Sequence, residues 1–448
     1  MLFLARFPYT LAMVAALFIA SLFACALLGL PMLYAILAGL AIFFLQGLRR
    51  GIPAQRLFAA TIPGFKKSLV VVGVICLIGV MGAAWRSSGL MALLVVKGLS
   101  LIYPPLFLLF AFLLCSAFAF ALGSSLGAAS VMGVLLITIG NAARVNPLFT
   151  SGAILSGIYF GDRASFLSSS ALLVSTLTHV NHKTHLRNML KTSVVPFAIS
   201  GIAYALLSTA APFDASHAQD ILVLKNFFAL GNPVLWLPLV IVFLPAFTNV
   251  TLAVSIMLSA VVAFAITLFV QGAAPSDALR DLVFGYRREI DNPQLKLLYG
   301  GGLVSMLKPM TIVFFSGALP PLLKELGTLA PIQRWLARIS RRSFPFAAAL
   351  ASGVLTSLIG CSQSLAVFLQ APLLDEVYPE GRNEAKAVAL GSTSILLSAM
   401  VPWNIAMAAP LAIIGGSPLS GLFAFYLVLL PLVTLVVEGS GAGRRKTE

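Results

Sequence analysis

Long apolar runs separated by short polar segments dominate the chain. A run of about 20 apolar residues is long enough to cross a lipid bilayer as a helix. The number and spacing of these runs predict an all-α polytopic membrane protein with about 10 to 12 transmembrane segments. We expect the first run to be retained, because it lacks a small-residue cleavage site. The clearest runs are residues 8–30, 32–48, 68–85, 104–122, 192–211, 233–247, 250–270 and 419–437.

Four clusters of small polar residues interrupt the apolar pattern, at residues 123–130, 157–170, 360–364 and 391–404. Glycine and serine let the backbone leave a helix. Small residues also allow close helix packing in membranes, and for the first cluster alone this interpretation stays open. If the helices do break there, backbone dipoles and hydroxyls become available to a ligand. The clusters are therefore candidate discontinuities of membrane helices.

Charge adds orientation to this pattern. Only 10% of the residues are charged, with a net charge of +15, whereas soluble domains carry about 25% charged residues. Segments that hold basic residues alone are expected in the cytoplasm, and the charge-balanced segment 274–296 is expected outside. Both termini are then cytoplasmic. The basic segments contain Arg49, Arg50, Arg56, Lys66 and Lys67; His182, Lys183, His185, Arg187 and Lys191; Arg334, Arg338, Arg341 and Arg342; and Arg444, Arg445 and Lys446.

The two halves of the chain share an order of features, in which an apolar run is followed by two polar breaks. Corresponding features lie about 230 residues apart, and Gly161 and Gly391 are each followed by Leu and Ser at the same distance. Because the charge pattern gives the halves opposite orientations, we predict two inverted-topology repeats whose discontinuous helices and re-entrant hairpins meet at the midplane. The predicted divisions are 1–66 (an N-terminal transmembrane hairpin and cytoplasmic loop), 67–211 (the first repeat), 212–298 (connecting loops and a transmembrane hairpin) and 299–448 (the second repeat and a short basic cytoplasmic tail).

Asp162 is nearly the only carboxylate within an apolar region. A charge at membrane depth is costly and marks function by default. Neighbours on a helix do not face one another, so a structural ion pair with Arg163 would require a broken backbone. That pair stays open, but we favour Asp162 as a ligand for Na⁺ that can exchange the cation for a proton. Lys308, the other embedded charge, either joins Arg163 as a counter-charge to Asp162 or extends to the interface.

Polar side chains at the four breaks complete a candidate site for a substrate or ion. Hydroxyls, an amide and backbone carbonyls suit Na⁺ or the polar groups of a small solute. The sequence has no phosphate-binding loop, nucleotide fingerprint or Ser/His/carboxylate set. We therefore expect no catalytic residues and no cofactor, with Na⁺ and H⁺ as candidate coupling ions. The candidate residues are Ser124, Ser125, Asp162, Ser165, Ser168, Ser169, Ser362, Gln363, Ser394, Ser398, Trp403 and Asn404.

Three segments resemble the NhaC family of Na⁺/H⁺ antiporters, namely GAILSGIYFGDRASFLSSS, HLRNMLKTS and MVPWN. That family shows Gly-Asp-Lys-x-Ser-Pro-Leu-Ser-Asp-Thr-Thr, a Gly-Ser-Ser before its first hairpin and a later Pro-Trp-Asn. The resemblance runs from about residue 67 to the end and implies an inverted-repeat transporter with a scaffold and a moving transport region. The matching positions are Gly123, Ser124 and Ser125; Gly161, Asp162, Ser165, Leu167 and Ser168, with Arg163 for Lys; and Pro402, Trp403 and Asn404.

Several acids of that family pattern are absent from this chain. Ser169 stands where the family has Asp, Gly391 and Ser392 stand for Glu-Asp, and Ser362 stands for the Asp of an Asp-Gln pair. Fewer carboxylates remain to hold Na⁺ or carry protons. An organic solute is therefore an alternative, and the embedded Arg163 and Lys308 would favour an anionic one.

The sequence predicts a secondary active transporter and no enzyme, with Na⁺/H⁺ antiport of NhaC type as the first choice. H⁺- or Na⁺-coupled transport of an amino acid or carboxylate is the alternative, and a non-transporting membrane scaffold or receptor is a third interpretation. The expected partners are the lipid bilayer and a small ion or solute, not nucleic acid, and a homodimer stays open. We expect the bacterial plasma (inner) membrane, with cytoplasmic termini.

Overall fold

The structure, a computed structural model, describes residues 30–101, 103–210, 221–244, 250–288, 293–296, 298–327, 344–360 and 362–439, with isolated positions before residue 30 and at 213 and 248. Within these residues the regular structure is helical, apart from one bridge between Tyr286 and Gly300. The helices are α1 (Met32–Arg49), α2 (Ala54–Ser87), α3 (Leu90–Leu101), α4 (Phe107–Leu122), α5 (Ser125–Ala128), α6 (Val134–Ala142), α7 (Pro147–Ala164), α8 (Ser169–Thr178), α9 (His182–Ala210), α10 (Leu237–Val242), α11 (Leu252–Phe269), α12 (Pro275–Phe284), α13 (Pro293–Lys296), α14 (Leu307–Ser316), α15 (Leu319–Glu325), α16 (Pro345–Gly360), α17 (Gln363–Leu373), α18 (Asn383–Ser392), α19 (Ser394–Leu397), α20 (Ile405–Ile414) and α21 (Phe425–Gly439). A π-helical turn at Ala129–Gly133 joins α5 to α6, and short 3-10 segments lie at Pro104–Leu106, Ile221–Asn226, Pro233–Trp236, Val304–Met306, Ser398–Met400 and Pro418–Phe423.

Membrane-spanning length is reached by six helical stretches of the described chain, and by a seventh if the pair Asn383–Met400 and Ile405–Ile414, bent by 51°, counts as one span. Five shorter apolar helices accompany them. The prediction of an all-helical polytopic membrane protein is confirmed, while the inverted relation of the two halves stays a prediction. The six stretches are Met32–Arg49, Ala54–Ser87, Pro104–Leu122, Ser125–Ala142, His182–Ala210 and Val304–Glu325.

Helix α2 begins well before the predicted span. The sequence predicts a cytoplasmic loop up to residue 66, but α2 starts at Ala54 and has 34 residues. Such a helix is about 50 Å long, and the hydrocarbon core is only about 30 Å thick, so a basic, solvated end can remain helical. Arg56 in its first turn pairs with Glu325 of α15. The first predicted run lies largely outside the described residues, and basic residues 334–342 and the basic tail lie wholly outside them.

Three of the four predicted breaks interrupt helices where expected. Helix α4 ends at Gly123, which has a φ of 65°, and Ser124 is extended before α5. Helix α16 ends at Gly360, and an extended Ser362 precedes α17. Helix α18 ends before Thr393, whose φ and ψ are −117° and −84°. The backbone groups freed at such breaks must find partners inside the protein, because lipid offers none.

The remaining break begins later than predicted. Asp162 and Arg163 lie within the last turn of α7, and the chain becomes extended only at Ser165. Both side chains find partners on other segments, so the backbone does not need to open to accommodate them. The region that carries Asp162 is thus a regular helix held rigidly against its neighbours.

Glycines allow α7 to lie directly against α4. A Cβ added at Gly157 would come within 2.6 Å of the carbonyl oxygen of Phe112, and one at Gly161 within 2.4 Å of the backbone nitrogen of Phe120. Small residues at four-residue spacing are a common means of close helix contact in membranes. Because Gly161 directly precedes Asp162, this contact fixes the position of the carboxylate.

We expect Gly161→Ala to destabilise the protein by about 1–3 kcal/mol, the usual range for overpacking a tight contact. The atoms it meets are largely backbone atoms of α4, which cannot rotate away. Gly73→Ala in α2 is the matched control, because its added Cβ would have nothing within 4 Å. Thermal unfolding of the two purified variants provides the measurement. Equal unfolding temperatures for the two variants would contradict the close contact.

Candidate functional site

The four helix breaks meet in one region although they lie far apart in sequence. The first break packs closely against the second, as shown at Gly123, where an added Cβ would lie only 2.5 Å from the carbonyl carbon of Leu167. The second contacts the fourth through Arg163, whose Nε donates to the carbonyl of Gly391 at 2.8 Å. The third reaches the second through Gln363 at the start of α17. Polar groups from both halves of the chain are therefore brought together.

Asp162 is the carboxylate of this region, and its side chain is 3% exposed. Ser168 donates to Oδ1 at 3.2 Å, while Ser170 and Gln363 Nε2 donate to Oδ2 at 3.3 and 3.0 Å. Gln363 also donates to the carbonyl of Ile395 at 3.3 Å and accepts from Ser170 at 2.9 Å. The carboxylate is surrounded by neutral hydroxyl and amide groups contributed by the start of α8 and by α17.

Arg163 points away from Asp162 and is completely buried. Its five N–H donors, the full number that a guanidinium carries, all have acceptors on neutral groups of α9 and α18. Among the described residues no ion pair joins Asp162 to Arg163, and Lys308 is exposed on α14 without an ion pair to Asp162. The acceptors are the carbonyls of Gly391 and Met189 and the hydroxyls of Ser193, Thr192 and Ser392, at 2.6–3.1 Å.

Gln370 forms a second buried polar centre that the sequence analysis did not identify. Its Nε2 donates to the carbonyl of Ala349 at 2.6 Å and to Ser352 at 3.0 Å, and its Oε1 accepts from Thr393 and from Ser394. The predicted residue Ser394 therefore contacts α17 rather than Asp162. The one available signal was an amide within the apolar sequence QSLAVFLQAPL of α17.

The residues after α19 anchor the chain to α16. Trp403 Nε1 donates to the carbonyl of Leu358 at 2.9 Å, and Asn404 Nδ2 donates to that of Ser357 at 3.0 Å. Ser398 donates to the hydroxyl of Ser357 at 3.2 Å. Three predicted site residues are thus engaged in holding the fourth break in shape.

Of three other predicted serines, two accept hydrogen bonds from backbone amides and the third is exposed. Ser124 accepts from the amide of Gly127 at 3.1 Å, and Ser165 from that of Leu167 at 3.2 Å. Both interactions cap a chain reversal. Ser169 is exposed at the start of α8.

Tyr159 lies one helical turn before Asp162 and is not among the residues predicted from the sequence. Its side chain is 1% exposed, and its hydroxyl donates to the carbonyl of Ala406 and interacts with Ser125. Tyr159 thereby links the first break to the start of α20. A tyrosine three residues before Asp162 on the same helix was the signal that could have identified it.

The arrangement suits a proton or a small monovalent cation. The neighbouring hydroxyls and amide can rotate. They can donate hydrogen bonds to the ionised carboxylate, or they can turn their oxygens toward a cation bound to it. Within the described residues no group of three or more His, Cys, Asp or Glu side chains could hold a metal ion. The chemistry available at this site is binding and exchange.

Comparison with known proteins agrees with this chemistry. The sequence profile of the Na⁺/H⁺ antiporter family matches residues 1–157 and 157–439. The chain is 27% identical over 385 residues to the malate-2H⁺/Na⁺-lactate antiporter of Bacillus subtilis, covering 84% of this chain and 82% of the relative. It is 27% identical over 404 residues to the Na⁺/H⁺ antiporter NhaC of Alkalihalophilus pseudofirmus, covering 87% and 86%.

A third relative is named for a different substrate. The arginine/ornithine antiporter ArcD of Halobacterium salinarum is 27% identical over 393 residues, covering 84% of this chain and 80% of the relative. The relatives differ in substrate, but all three are antiporters. Because the family profile covers nearly the whole chain, the protein is a secondary transporter that belongs to the Na⁺/H⁺ antiporter family.

Proposed function

We propose that the protein exchanges Na⁺ for H⁺ at Asp162. The observation that carries this proposal is the buried carboxylate with only neutral donors around it, from Ser168, Ser170 and Gln363. Among the residues that the structure describes, no cationic side chain is hydrogen-bonded to it, so an ionised Asp162 attracts either a proton or Na⁺. Because both compete for the same oxygens, binding of one displaces the other.

The neutral neighbours support both loaded states. With a proton bound, Asp162 becomes a hydrogen-bond donor, and the hydroxyls can rotate to accept. With Na⁺ bound, the hydroxyl oxygens of Ser168 and Ser170 and the amide oxygen of Gln363 are the available neutral ligands. The amide orientation of Gln363 follows its hydrogen bonds, and a turn of the amide would present oxygen in place of nitrogen.

We infer that the two halves are inverted repeats whose breaks enclose this site at the bilayer midplane. In support, α4 and α16 both end at a glycine followed by an extended serine, Ser124 or Ser362. Discontinuous helices of this kind bind substrates at the midplane of many secondary transporters. Alternating access to Asp162 from the two sides would complete the exchange cycle. The expected setting is a bacterial inner membrane with both termini in the cytoplasm.

Asp162→Asn tests the exchange directly. In proteoliposomes with an imposed Na⁺ gradient, we expect the proton flux to fall by at least about 100-fold, as for loss of a principal ion ligand. Asp277→Asn is the matched control, because Asp277 is exposed on α12 and loses the same charge. Intact proton flux in Asp162→Asn would overturn the role of Asp162. A wild type in which Na⁺ gradients move no protons at any pH would overturn the antiport itself.

Transport of a small organic solute coupled to H⁺ or Na⁺ is the second candidate. Two relatives favour it, because one is named as a malate/lactate antiporter and the other as an arginine/ornithine antiporter. Asp162 would then hold the coupling ion. The same proteoliposomes distinguish the candidates, because solute counterflow without Na⁺-driven proton flux would select this one.

Arg163 has a positioning role in the proposed mechanism. Its hydrogen bonds join α7 to α9 and to the break after α18, and they leave no donor for an anionic substrate. A buried guanidinium with satisfied donors holds surrounding segments in a fixed arrangement. We infer that it keeps Asp162 aligned with the second half of the chain.

We expect Arg163→Lys to lower the unfolding temperature although it keeps the charge. Lysine has three donors in place of five, and each buried acceptor left unpaired costs about 1–3 kcal/mol. Arg187→Lys, at an exposed position of α9, controls for the substitution itself. Thermal unfolding in detergent measures the difference. If the two variants unfold at the same temperature, Arg163 does not hold these segments together.

A further inference from the structure

A polar cavity lies away from Asp162, and none of the residues that line it contacts Asp162. Its volume is about 220 Å³, several times the roughly 30 Å³ that one water occupies in the liquid. The ends of α2, α6 and α20 and the segment before α14 form its wall. The polar groups that line it are Arg86, Ser130, Thr138, Asn141, Tyr299 and Ser305.

Arg86 is the charged group of this cavity, and its hydrogen bonding is incomplete. Its Nη1 donates to the carbonyl of Gly82 at 2.7 Å, but its buried Nε has no hydrogen-bond partner within the described part of the chain. Asp281, which accepts from the adjacent Ser87, is already paired with Arg288 at 3.0 Å. A buried donor without a partner is costly, so an acceptor from outside the chain would be stabilised here.

At two of the helix ends around the cavity, a backbone amide already binds a carbonyl that Arg86 could otherwise cap. At the end of α6 the amide of Val145 donates to the carbonyl of Gly140 at 2.8 Å. At the end of α20 the amide of Gly416 donates to the carbonyl of Leu411 at 2.8 Å. Because backbone amides already satisfy these two carbonyls, neither is left for Arg86 to cap.

Three consecutive glycines form the chain segment beside Arg86. Gly300, Gly301 and Gly302 have φ values of 125°, 73° and 83°, which side-chain-bearing residues rarely adopt. A Cβ on Gly301 would lie 2.5 Å from the backbone nitrogen of Ala83, so this segment packs directly on α2. A Cβ on Gly300 would lie 4.0 Å from Arg86 Nε, on the side where an anion would bind.

We propose that this cavity binds a small organic carboxylate, with Arg86 as the anchor. A guanidinium matches the two oxygens of a carboxylate, and the amide of Asn141 can bind a further polar group. The hydroxyls of Thr138 and Ser305 donate to the carbonyls of Val134 and Gly302, so their oxygens can accept from a hydroxyl substituent of the ligand. Apolar residues on the same wall, including Ile78 and Ile413, would contact the carbon chain. A fully charged phosphate would need more than one cation, so the mixed lining favours a carboxylate.

Equilibrium binding to the purified full-length protein tests the proposal without any ion gradient. Isothermal titration calorimetry with acetate, lactate and succinate should show saturable binding. Chloride and phosphate are titrated in parallel, and both should bind more weakly. Arg86→Gln should weaken carboxylate binding by at least about tenfold, the value of a charge-assisted hydrogen bond. Arg287→Gln is the matched control, because Arg287 is exposed in the neighbouring segment and loses the same charge.

Asn141→Leu provides a second variant if Arg86→Gln does not fold, and it should also weaken binding because it removes an amide from the wall. The proposal is overturned if no carboxylate binds to the wild type, or if chloride or phosphate binds as tightly. It is also overturned if the cavity variants keep wild-type affinity. Because binding is measured at equilibrium, these outcomes do not depend on whether Asp162 exchanges Na⁺ for H⁺.

Discussion

The buried guanidinium of Arg163 is the constraint around which the broken helices are arranged. A charge inside a low-dielectric region is tolerated only if its hydrogen bonds are satisfied. Arg163 meets this condition through backbone carbonyls and hydroxyls from α9 and α18. The two acceptors on α18 are available because that helix ends at the fourth break, directly after Gly391 and Ser392. The arginine and the break therefore depend on one another.

This arrangement has a consequence for the adjacent carboxylate. Side chains one residue apart on a helix point in different directions, and α7 stays helical through Asp162 and Arg163. The two charges consequently enter separate polar surroundings, one fully satisfied by the protein and one built of rotatable donors. A direct ion pair would have neutralised Asp162 permanently. The helix is regular at Asp162 and Arg163, whereas the sequence suggested a break there. This regular geometry leaves the carboxylate free for the proposed binding of a proton or cation.

The sequence was sufficient for features that depend on local chemistry. Apolar runs predicted the helices, and the glycines and serines at Gly123, Gly360 and Gly391 predicted three breaks, because these residues act on their own backbone. It was insufficient where long-range partners decide the outcome. Nothing local indicates that Arg163 reaches Gly391, that Gln363 contacts Asp162, or that Trp403 anchors α16 rather than facing a ligand. Gln370 and Tyr159 were missed for the same reason, since each is identified by its partners.

The asymmetry between the two halves bears on how the exchange can be balanced. The first half contributes Asp162 and Arg163, whereas the second half contributes the neutral centre of Gln370, Thr393 and Ser394. With one carboxylate, the proposed site holds one proton or one monovalent cation. Both loaded forms then carry the same charge, while the empty form is more negative. If the empty form crosses the membrane poorly because of that exposed charge, exchange is favoured over uncoupled movement, and coupling follows from a single residue.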